Sequence, residues 1–109
     1  MILVTVYRNQ NEQYTGFDCM GHAGFAEAGE DIVCAGVSAL VINTINSISC
    51  FTGEKFHVDS KEETGEISFR FQQTAEHDGE LLMNALVLGL QGIQNNYGAG
   101  YITLNFKEG

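Results

Sequence analysis

The sequence predicts an α+β fold in which a mostly antiparallel sheet carries two helices on one face. Five short segments alternate apolar and polar residues with a period of two, which is typical of strands with one buried face. Two longer segments carry apolar residues at helical spacing. The segments follow one another in the order β-β-α-β-β-α-β, and strands with one apolar face are covered by helices on that face.

The first two strands are predicted at residues 1–7 and 14–21, with the polar hairpin connection RNQNEQ between them. Alternate residues of the first segment are apolar and fall on one face, which predicts that this face is buried. Gly16 interrupts the second segment, and a glycine inside a strand weakens it or marks a bulge.

A loop and the first helix follow. Residues 22–32, HAGFAEAGEDI, have no periodicity, and Gly24 and Gly29 would let this loop move. Residues 33–49 form the predicted helix, and Asp31 lies where it can cap the free N–H groups of the first turn. The buried stripe of this helix is predicted to comprise Val37, Leu40, Val41, Ile45 and Ile48.

The second half of the chain repeats the pattern. Strands are predicted at residues 55–59 and 66–72, joined by the polar turn SKEETG. A long helix is predicted at residues 75–97, ended by Gly98 and Gly100, and residues 101–106 form the last strand. The buried stripe of the long helix is predicted to comprise Leu82, Leu86, Leu90, Ile93 and Tyr97.

Length and composition favour a single soluble domain over residues 1–109. The chain is 44% hydrophobic and 17% charged, as globular proteins are. We find no apolar run of about 18 residues that would indicate a membrane span, and no secretion signal at the start. An odd number of cysteines, three, argues against a disulfide framework. We therefore expect a cytoplasmic protein.

The charge balance is strongly acidic, since fourteen Asp and Glu against five Lys and Arg give a net charge of −9. Such a surface repels phosphates, so direct binding to nucleic acid is not expected. It attracts basic partners, of which ribosomal proteins are one class. The alternative interpretation is that the acidity serves solubility alone.

The chemistry is concentrated in residues 21–40, GHAGFAEAGEDIVCAGVSAL. Cys34 lies in the first turn of the predicted helix, where the partial positive charge would lower the thiol pKa. His22 lies across the glycine-containing loop and could accept the thiol proton. Free N–H groups at the same helix start could hold the oxyanion of a tetrahedral intermediate. This pattern predicts nucleophilic catalysis by a cysteine.

Several of these residues also have structural interpretations. A cysteine on a helix is often a small buried hydrophobe, and we assign Cys19 and Cys50 to packing. Asp31 either caps the helix or orients His22. Ser38 lies four residues after Cys34, on the same helix face, where it could border a substrate groove or bond to the backbone.

A zinc site is the competing chemical interpretation. Cys19-x-x-His22 has ligand-like spacing, and Cys34 could be a third ligand. The candidates for a fourth ligand are Glu30, Asp31, His57 and His77. Structural zinc sites normally present paired motifs, which this sequence lacks, so neither a metal nor another cofactor is predicted.

The motif itself is similar to one family. Gly21-His22-Ala23-Gly24, then Gly29, Asp31-Ile32-Val33-Cys34-Ala35 and Val37-Ser38 resemble the signature of the ribosomal-processing cysteine proteases called Prp, and the resemblance extends over essentially the whole chain. It implies that His22 is the base and Cys34 the nucleophile, with Gly21, Asp31 and Ser38 in support. It also implies a mobile substrate-binding loop, from residue 23 to residue 33, containing Gly24, Phe25 and Gly29, and a homodimer.

The same resemblance implies a substrate. Members of the family remove a short N-terminal extension from the twenty-seventh protein of the large ribosomal subunit, which is basic, and they cut after paired aromatic residues. We expect Phe25 to clamp those aromatic residues, unless it only anchors the loop to the core. The alternative function is a non-catalytic ribosome-assembly factor that binds a basic ribosomal protein.

Overall fold

The computed structural model describes residues 1–21, 28–61, 63–98 and 100–109, with the backbone alone at residues 28–31. Its elements have the predicted order. They are β1 (Ile2–Arg8), β2 (Tyr14–Met20), α1 (Ala28–Phe51), β3 (Phe56–Lys61), β4 (Glu66–Phe71), α2 (His77–Tyr97) and β5 (Ile102–Glu108). The strands form one sheet in the order β3-β4-β2-β1-β5, in which every neighbouring pair is antiparallel except β1 and β5. The predicted fold class is confirmed.

Both helices cover the same face of the sheet. Several of the strand residues that face them are fully buried, because alternate residues of each strand point to that side. These are Ile2, Val4 and Val6 of β1, Phe17 and Cys19 of β2, Phe69 of β4 and Ile102 of β5. The prediction that Cys19 belongs to the core is confirmed, since its exposed fraction is 0%.

The two helices approach each other at glycines. A Cβ atom at Gly89 of α2 would lie 2.9 Å from Leu40 of α1, and one at Gly36 of α1 would lie 3.3 Å from Ile93 of α2. One flank of α1 therefore faces α2. The opposite flank faces away from it.

The buried stripe of α1 agrees with the prediction for Val37, Val41 and Ile48, while Leu40 and Ile45 are only partly buried. Val33 and Thr44 complete the stripe. A threonine is tolerated there because its hydroxyl donates a hydrogen bond to the Leu40 carbonyl oxygen at 2.7 Å.

In α2 the buried residues are centred on Met83, Leu86, Val87 and Leu90. Leu82 and Ile93 are partly buried beside them. The prediction for Tyr97 is wrong, because its exposed fraction is 44% in the last turn of the helix.

Helix α1 is unusually apolar. The segment Ile32–Phe51 has a mean hydropathy of 1.7 and is long enough to cross a membrane, by length and composition alone. Polar residues, among them Asn43, Thr44 and Asn46, interrupt the segment, so no continuous apolar run is visible in the sequence. In the structure one stripe of the helix lies in the core, and 28% of the segment is buried.

Gly16 marks a bulge, as predicted. Tyr7 of β1 lies opposite Gly16, but the next residue, Arg8, lies opposite Tyr14, so Thr15 is an extra residue on β2. A side chain at Gly16 would also collide with the Phe69 carbonyl oxygen of β4. Only glycine lets the two strands approach this closely.

The face of the sheet away from the helices carries a polar cluster around Asp18. The carboxylate accepts hydrogen bonds from the hydroxyl groups of Tyr7 at 2.8 Å and Ser68 at 2.7 Å, and Arg70 lies 3.0 Å from it. Burial raises the pKa of Asp18, but the hydrogen bonds from Arg70, Ser68 and Tyr7 outweigh it, so the net shift is downward.

We expect Asp18→Asn to lower the free energy of unfolding at neutral pH by about 1–2 kcal/mol, because the three contacts lose the negative charge and one of the two acceptor oxygens is replaced by an NH₂ group. A lowered pKa stabilises the fold above the ordinary value of 3.8, and this stabilisation disappears as the pH falls through the folded-state pKa. The difference between wild type and variant should therefore shrink below pH 3.8. Urea unfolding at pH 7 and pH 3 measures it. Asp59→Asn is the control, since that side chain is 73% exposed; an equal effect there would contradict the assignment.

Candidate active site

Cys34 is the seventh residue of α1, since that helix begins at Ala28. The prediction that Cys34 lies in the first turn is therefore wrong. Six residues of helix separate it from the start by about 9 Å, and the effect of the helix dipole is confined to the first turn. In this conformation neither the free N–H groups nor the positive end of the helix lies at Cys34.

Two further predictions change with the helix start. Asp31 is the fourth residue of α1, so it is not the residue that precedes and caps the helix. Gly29 belongs to the helix and not to the loop. His22, Gly24 and Phe25 lie outside the described residues, as does the side chain of Asp31, so the roles assigned to them stay predictions.

Gly21 ends β2 in a conformation that favours glycine. Its φ is 87°, and a Cβ atom there would lie 2.5 Å from the Met1 carbonyl oxygen. Both the left-handed backbone and the close approach of β1 exclude a side chain. These two features give a physical reason for a glycine at this position, directly after β2.

The Cys34 side chain is half-buried and packs against the core. Cys19 is fully buried in the core, and its pKa is raised to about 12 by burial and, to a smaller extent, by the charge of Cys34. Cys19 is thus a neutral thiol at physiological pH and is closed to solvent. Of these two neighbouring cysteines, only Cys34 is accessible for chemistry.

Cys50 is exposed, so the prediction that it packs in the core is wrong. It follows Ile48 by two residues, which is a rotation of about 200° around the helix. Since Ile48 faces the core, Cys50 faces solvent. Its place in the last turn of α1 puts it about 24 Å along the helix from Cys34.

Cys34 lies on the flank of α1 that faces away from α2. Ser38 and Ile45 share this flank, because they follow the cysteine by four and eleven residues. All three side chains are partly buried. Four apolar side chains on the helix-facing side of β3 and β4 are also only partly covered. These are Phe56, Val58, Ile67 and Phe71.

We refer to the Cys34–Ser38–Ile45 flank and these four apolar side chains together as the α1–β3 surface. The sequence predicts that Ser38 could border a substrate groove, but it does not single out these four side chains. The period-two alternation of β3 and β4 was the available signal. It assigned Phe71 and Ile67 to the inner face without indicating that α1 leaves them half exposed.

The described residues contain no group of three His, Cys, Asp or Glu side chains that could hold a metal ion. His22, which the zinc interpretation requires, is not among them. His57 and His77 are exposed and lie next to Asp59 and Asp78, respectively. They are therefore surface residues of the strand and helix starts.

A cavity of about 290 Å³ lies at the other end of α1. It is lined by residues of the connections that precede β3 and α2, among them Thr52, Glu54, Gln73 and His77. Thr52 follows Cys34 by eighteen residues, or about 27 Å of helix. This cavity is thus separate from the nucleophile.

The model for the family of the cysteine protease Prp matches residues 1–103. The chain belongs to this family. A ribosomal processing cysteine protease Prp from Bacillus subtilis is 33% identical over 101 residues, which cover 89% of this chain and 90% of that protein. The family is one of cysteine proteases, and the chain is an enzyme of this class.

Two solved structures extend the comparison. The essential ribosomal processing protease Prp from S. aureus in complex with a substrate peptide is 31% identical, with a TM-score of 0.92, covering 98% of this chain and 100% of that one. The same protease in complex with a covalently linked product peptide is 32% identical, with a TM-score of 0.88 and the same coverage. The sheet and both helices therefore match a fold that binds peptides.

Proposed function

We propose that this protease removes the short N-terminal extension of a basic large-subunit ribosomal protein, the twenty-seventh, and cuts after aromatic residues. Cys34 is the nucleophile, and His22 is the general base and acid. The observation that carries the proposal is the position of the Cys34 thiol, half-buried on the flank of α1 that faces away from α2. The relative with a covalently linked product peptide supports it.

The reaction has two steps. His22 takes the thiol proton, and the Cys34 sulfur attacks the carbonyl carbon of the scissile bond. The tetrahedral intermediate collapses to a thioester as the protonated His22 gives its proton to the leaving amine. Water, deprotonated by His22, then attacks the thioester, releases the extension as an acid and restores the thiol.

Charge supports a basic substrate. The chain carries −9, and its acidic residues include Glu63 and Glu66 in and after the β3–β4 turn. This turn and the C-terminal end of β2 lie at the same end of the sheet, since β2 and β3 both run antiparallel to β4. The acidic residues of the turn would attract a basic chain that leaves the site in this direction. A ribosomal substrate also implies a cytoplasmic location.

The proposal includes a homodimer formed through the outer faces of the helices. No charged residue occurs at residues 32–53 or 81–106, so these faces are uncharged in a chain of −9. Leu81 and Leu88 of α2 and Ile42 of α1 are 56%, 72% and 50% exposed. Two copies can meet here without bringing like charges together.

The experiment is a cleavage assay with a peptide that spans the extension and the first basic residues after it. We expect one cut, located by the masses of the two products, and loss of cutting after pretreatment with iodoacetamide, which alkylates thiols. A peptide that binds but is not cut would overturn the protease proposal in favour of the assembly factor. Cutting that survives full alkylation of Cys34 would overturn the role of Cys34.

A further inference from the structure

Two arginines of this chain stack on aromatic rings. The Cζ atom of Arg70 lies 4.4 Å from the ring centroid of Tyr7. The Cζ atom of Arg8 lies 4.4 Å from the ring centroid of Phe106 and 5.1 Å from that of Tyr14. Such stacking attracts the cation and restricts the orientation of the planar guanidinium. Both arginines therefore present their N–H groups in a restricted set of directions.

The two arginines differ in their hydrogen-bond partners. Arg70 lies 3.0 Å from a carboxylate oxygen of Asp18 and donates a hydrogen bond to the Phe17 carbonyl oxygen at 3.1 Å. Within the described part of the chain the Arg8 side chain has no hydrogen bond or ion pair, and its Nε atom is buried without a partner. A buried N–H group without an acceptor is unfavourable, and the two oxygens of a carboxylate match a guanidinium well. Arg70 has such a carboxylate beside it, whereas Arg8 does not.

Arg8 lines a pocket of about 280 Å³ at the end of the sheet where β1 and β5 both end. One wall of the pocket is Phe106, whose exposed fraction is 41%. Another wall is the turn that follows β1. Asn9 fixes this turn, because its side-chain oxygen accepts hydrogen bonds from the backbone N–H groups of Asn11 at 2.8 Å and Gln13 at 3.1 Å. The pocket therefore combines a stacked guanidinium with an apolar ring beside a well-defined turn.

The charged side chains of this pocket balance one another. Lys107 contributes a second cation, and Glu12 and Glu108 contribute carboxylates; all three residues are exposed. Glu108 lies beside Arg8 in the parallel ladder, yet neither glutamate forms an ion pair with Arg8 among the described residues. The lining as a whole is therefore neutral, which favours a ligand with one carboxylate over a polyanion such as nucleic acid.

The pocket lies far from the end of β2 that leads to His22. Strand β2 ends at Met20, which pairs with Leu3 near the start of β1. Arg8 is five residues further along β1, which corresponds to about 17 Å. Residues 106–108 also lie beyond residues 1–103, which the family model matches. The pocket is therefore distinct from the proposed catalytic pair.

We propose that this pocket binds a ligand that carries one carboxylate and an adjacent apolar group, as the C-terminal residue of a peptide does. The carboxylate binds the guanidinium of Arg8 and is attracted by Lys107, while the apolar group packs against the ring of Phe106. The volume of about 280 Å³ is near the lower end of the range for ligand pockets, so a ligand of about one residue fits it.

The test is a titration of ¹⁵N-labelled wild-type protein, followed by NMR at constant ionic strength. The probes are N-acetylphenylalanine, its amide, which lacks the carboxylate, and acetate, which lacks the ring. We expect the Nε–Hε signal of Arg8 to shift saturably with N-acetylphenylalanine, with a Kd on the order of 1 mM. The amide should bind at least about tenfold more weakly. The Nε–Hε signal of Arg70 is the internal control and should not move, because Asp18 already lies beside this guanidinium.

Arg8→Lys is the matched variant, because it keeps the positive charge but loses the planar fork of N–H groups. We expect it to bind N-acetylphenylalanine at least about fivefold more weakly than wild type. Equal binding of the acid and its amide would overturn the role of the carboxylate. Acetate that binds as tightly as N-acetylphenylalanine would overturn the role of Phe106. Absence of a saturable shift of the Arg8 signal up to about 50 mM would overturn the site itself.

Discussion

Cys34→Ala is expected to lower kcat/KM for the peptide at least about a thousandfold, because alanine removes the atom that forms the thioester. The half-buried position makes the substitution structurally mild, so binding of the peptide should be retained. Cleavage rates from a fluorogenic peptide and Kd values from fluorescence anisotropy separate the chemical step from binding.

The control for this prediction is Cys50→Ala, which removes an exposed thiol from the same helix. Its kcat/KM should stay within twofold of wild type. Cys34→Ser keeps a hydroxyl of similar size, and we expect it to be nearly as inactive as alanine since a serine hydroxyl is a weak nucleophile without strong activation. If Cys34→Ala cuts the peptide within tenfold of wild type, another group is the nucleophile.

Phe69→Ala is expected to lower the free energy of unfolding by about 3–5 kcal/mol, the range for a large aromatic side chain removed from a core. Phe69 is 0% exposed and is the centre of an aromatic cluster. Its ring centroid lies 5.2 Å from that of Phe17, 5.0 Å from that of Phe56 and 4.9 Å from that of Phe71. The substitution removes three aromatic contacts and a side chain that is fully buried.

Urea unfolding followed by circular dichroism measures this effect, with the slope m compared to confirm that both proteins unfold alike. The matched control is Phe51→Ala, at a position that is 77% exposed, and its effect should be within about 0.5 kcal/mol. A loss smaller than about 1.5 kcal/mol for Phe69→Ala would contradict the central place of this ring in the core.

The strands were predictable because a sheet with one buried face requires apolar and polar residues to alternate along each strand. The alternation at Ile67, Phe69 and Phe71 identified the inner face of β4, and register puts it under the helices. The bulge at Gly16 was also predictable, since a glycine inside a strand often marks a bulge or a close approach of two backbones. These features depend on neighbouring residues only.

The start of α1 was not predictable in the same way. Residues 28–32 contain Ala28 and Glu30, which favour helix, but also Gly29, and the segment has no apolar stripe. The periodic signal begins only at Val33, so the sequence predicts a helix start five residues too late. Cys50 was misassigned because cysteine as a residue type is usually buried. Its position two residues after the buried Ile48 turns it to the solvent-facing side of the helix.

The partial exposure of the β3 side chains and the parallel pairing of β1 with β5 depend on distant parts of the chain. Alternation can assign Phe56 and Val58 to an inner strand face, but their partial exposure follows from the lateral position of α1, which no local pattern specifies. The nucleophile Cys34 was identified from a motif that also contains His22, which lies outside the described residues. The sequence thus predicts the chemistry, whereas the geometry identifies the surface beside it.

The parallel pairing of β1 with β5 has a consequence for the timing of folding. Ile2 pairs with Ile102, so β1, an interior strand of the sheet, lacks its partner on this side until a segment one hundred residues later has been synthesised. At a synthesis rate of roughly 5–20 residues per second, β1 spends several seconds with one edge open before β5 leaves the ribosome. The ladder that joins them is formed last, and its long-range contacts slow the final step. Until then the exposed edge of β1 is the part of the nascent chain most able to pair with another strand.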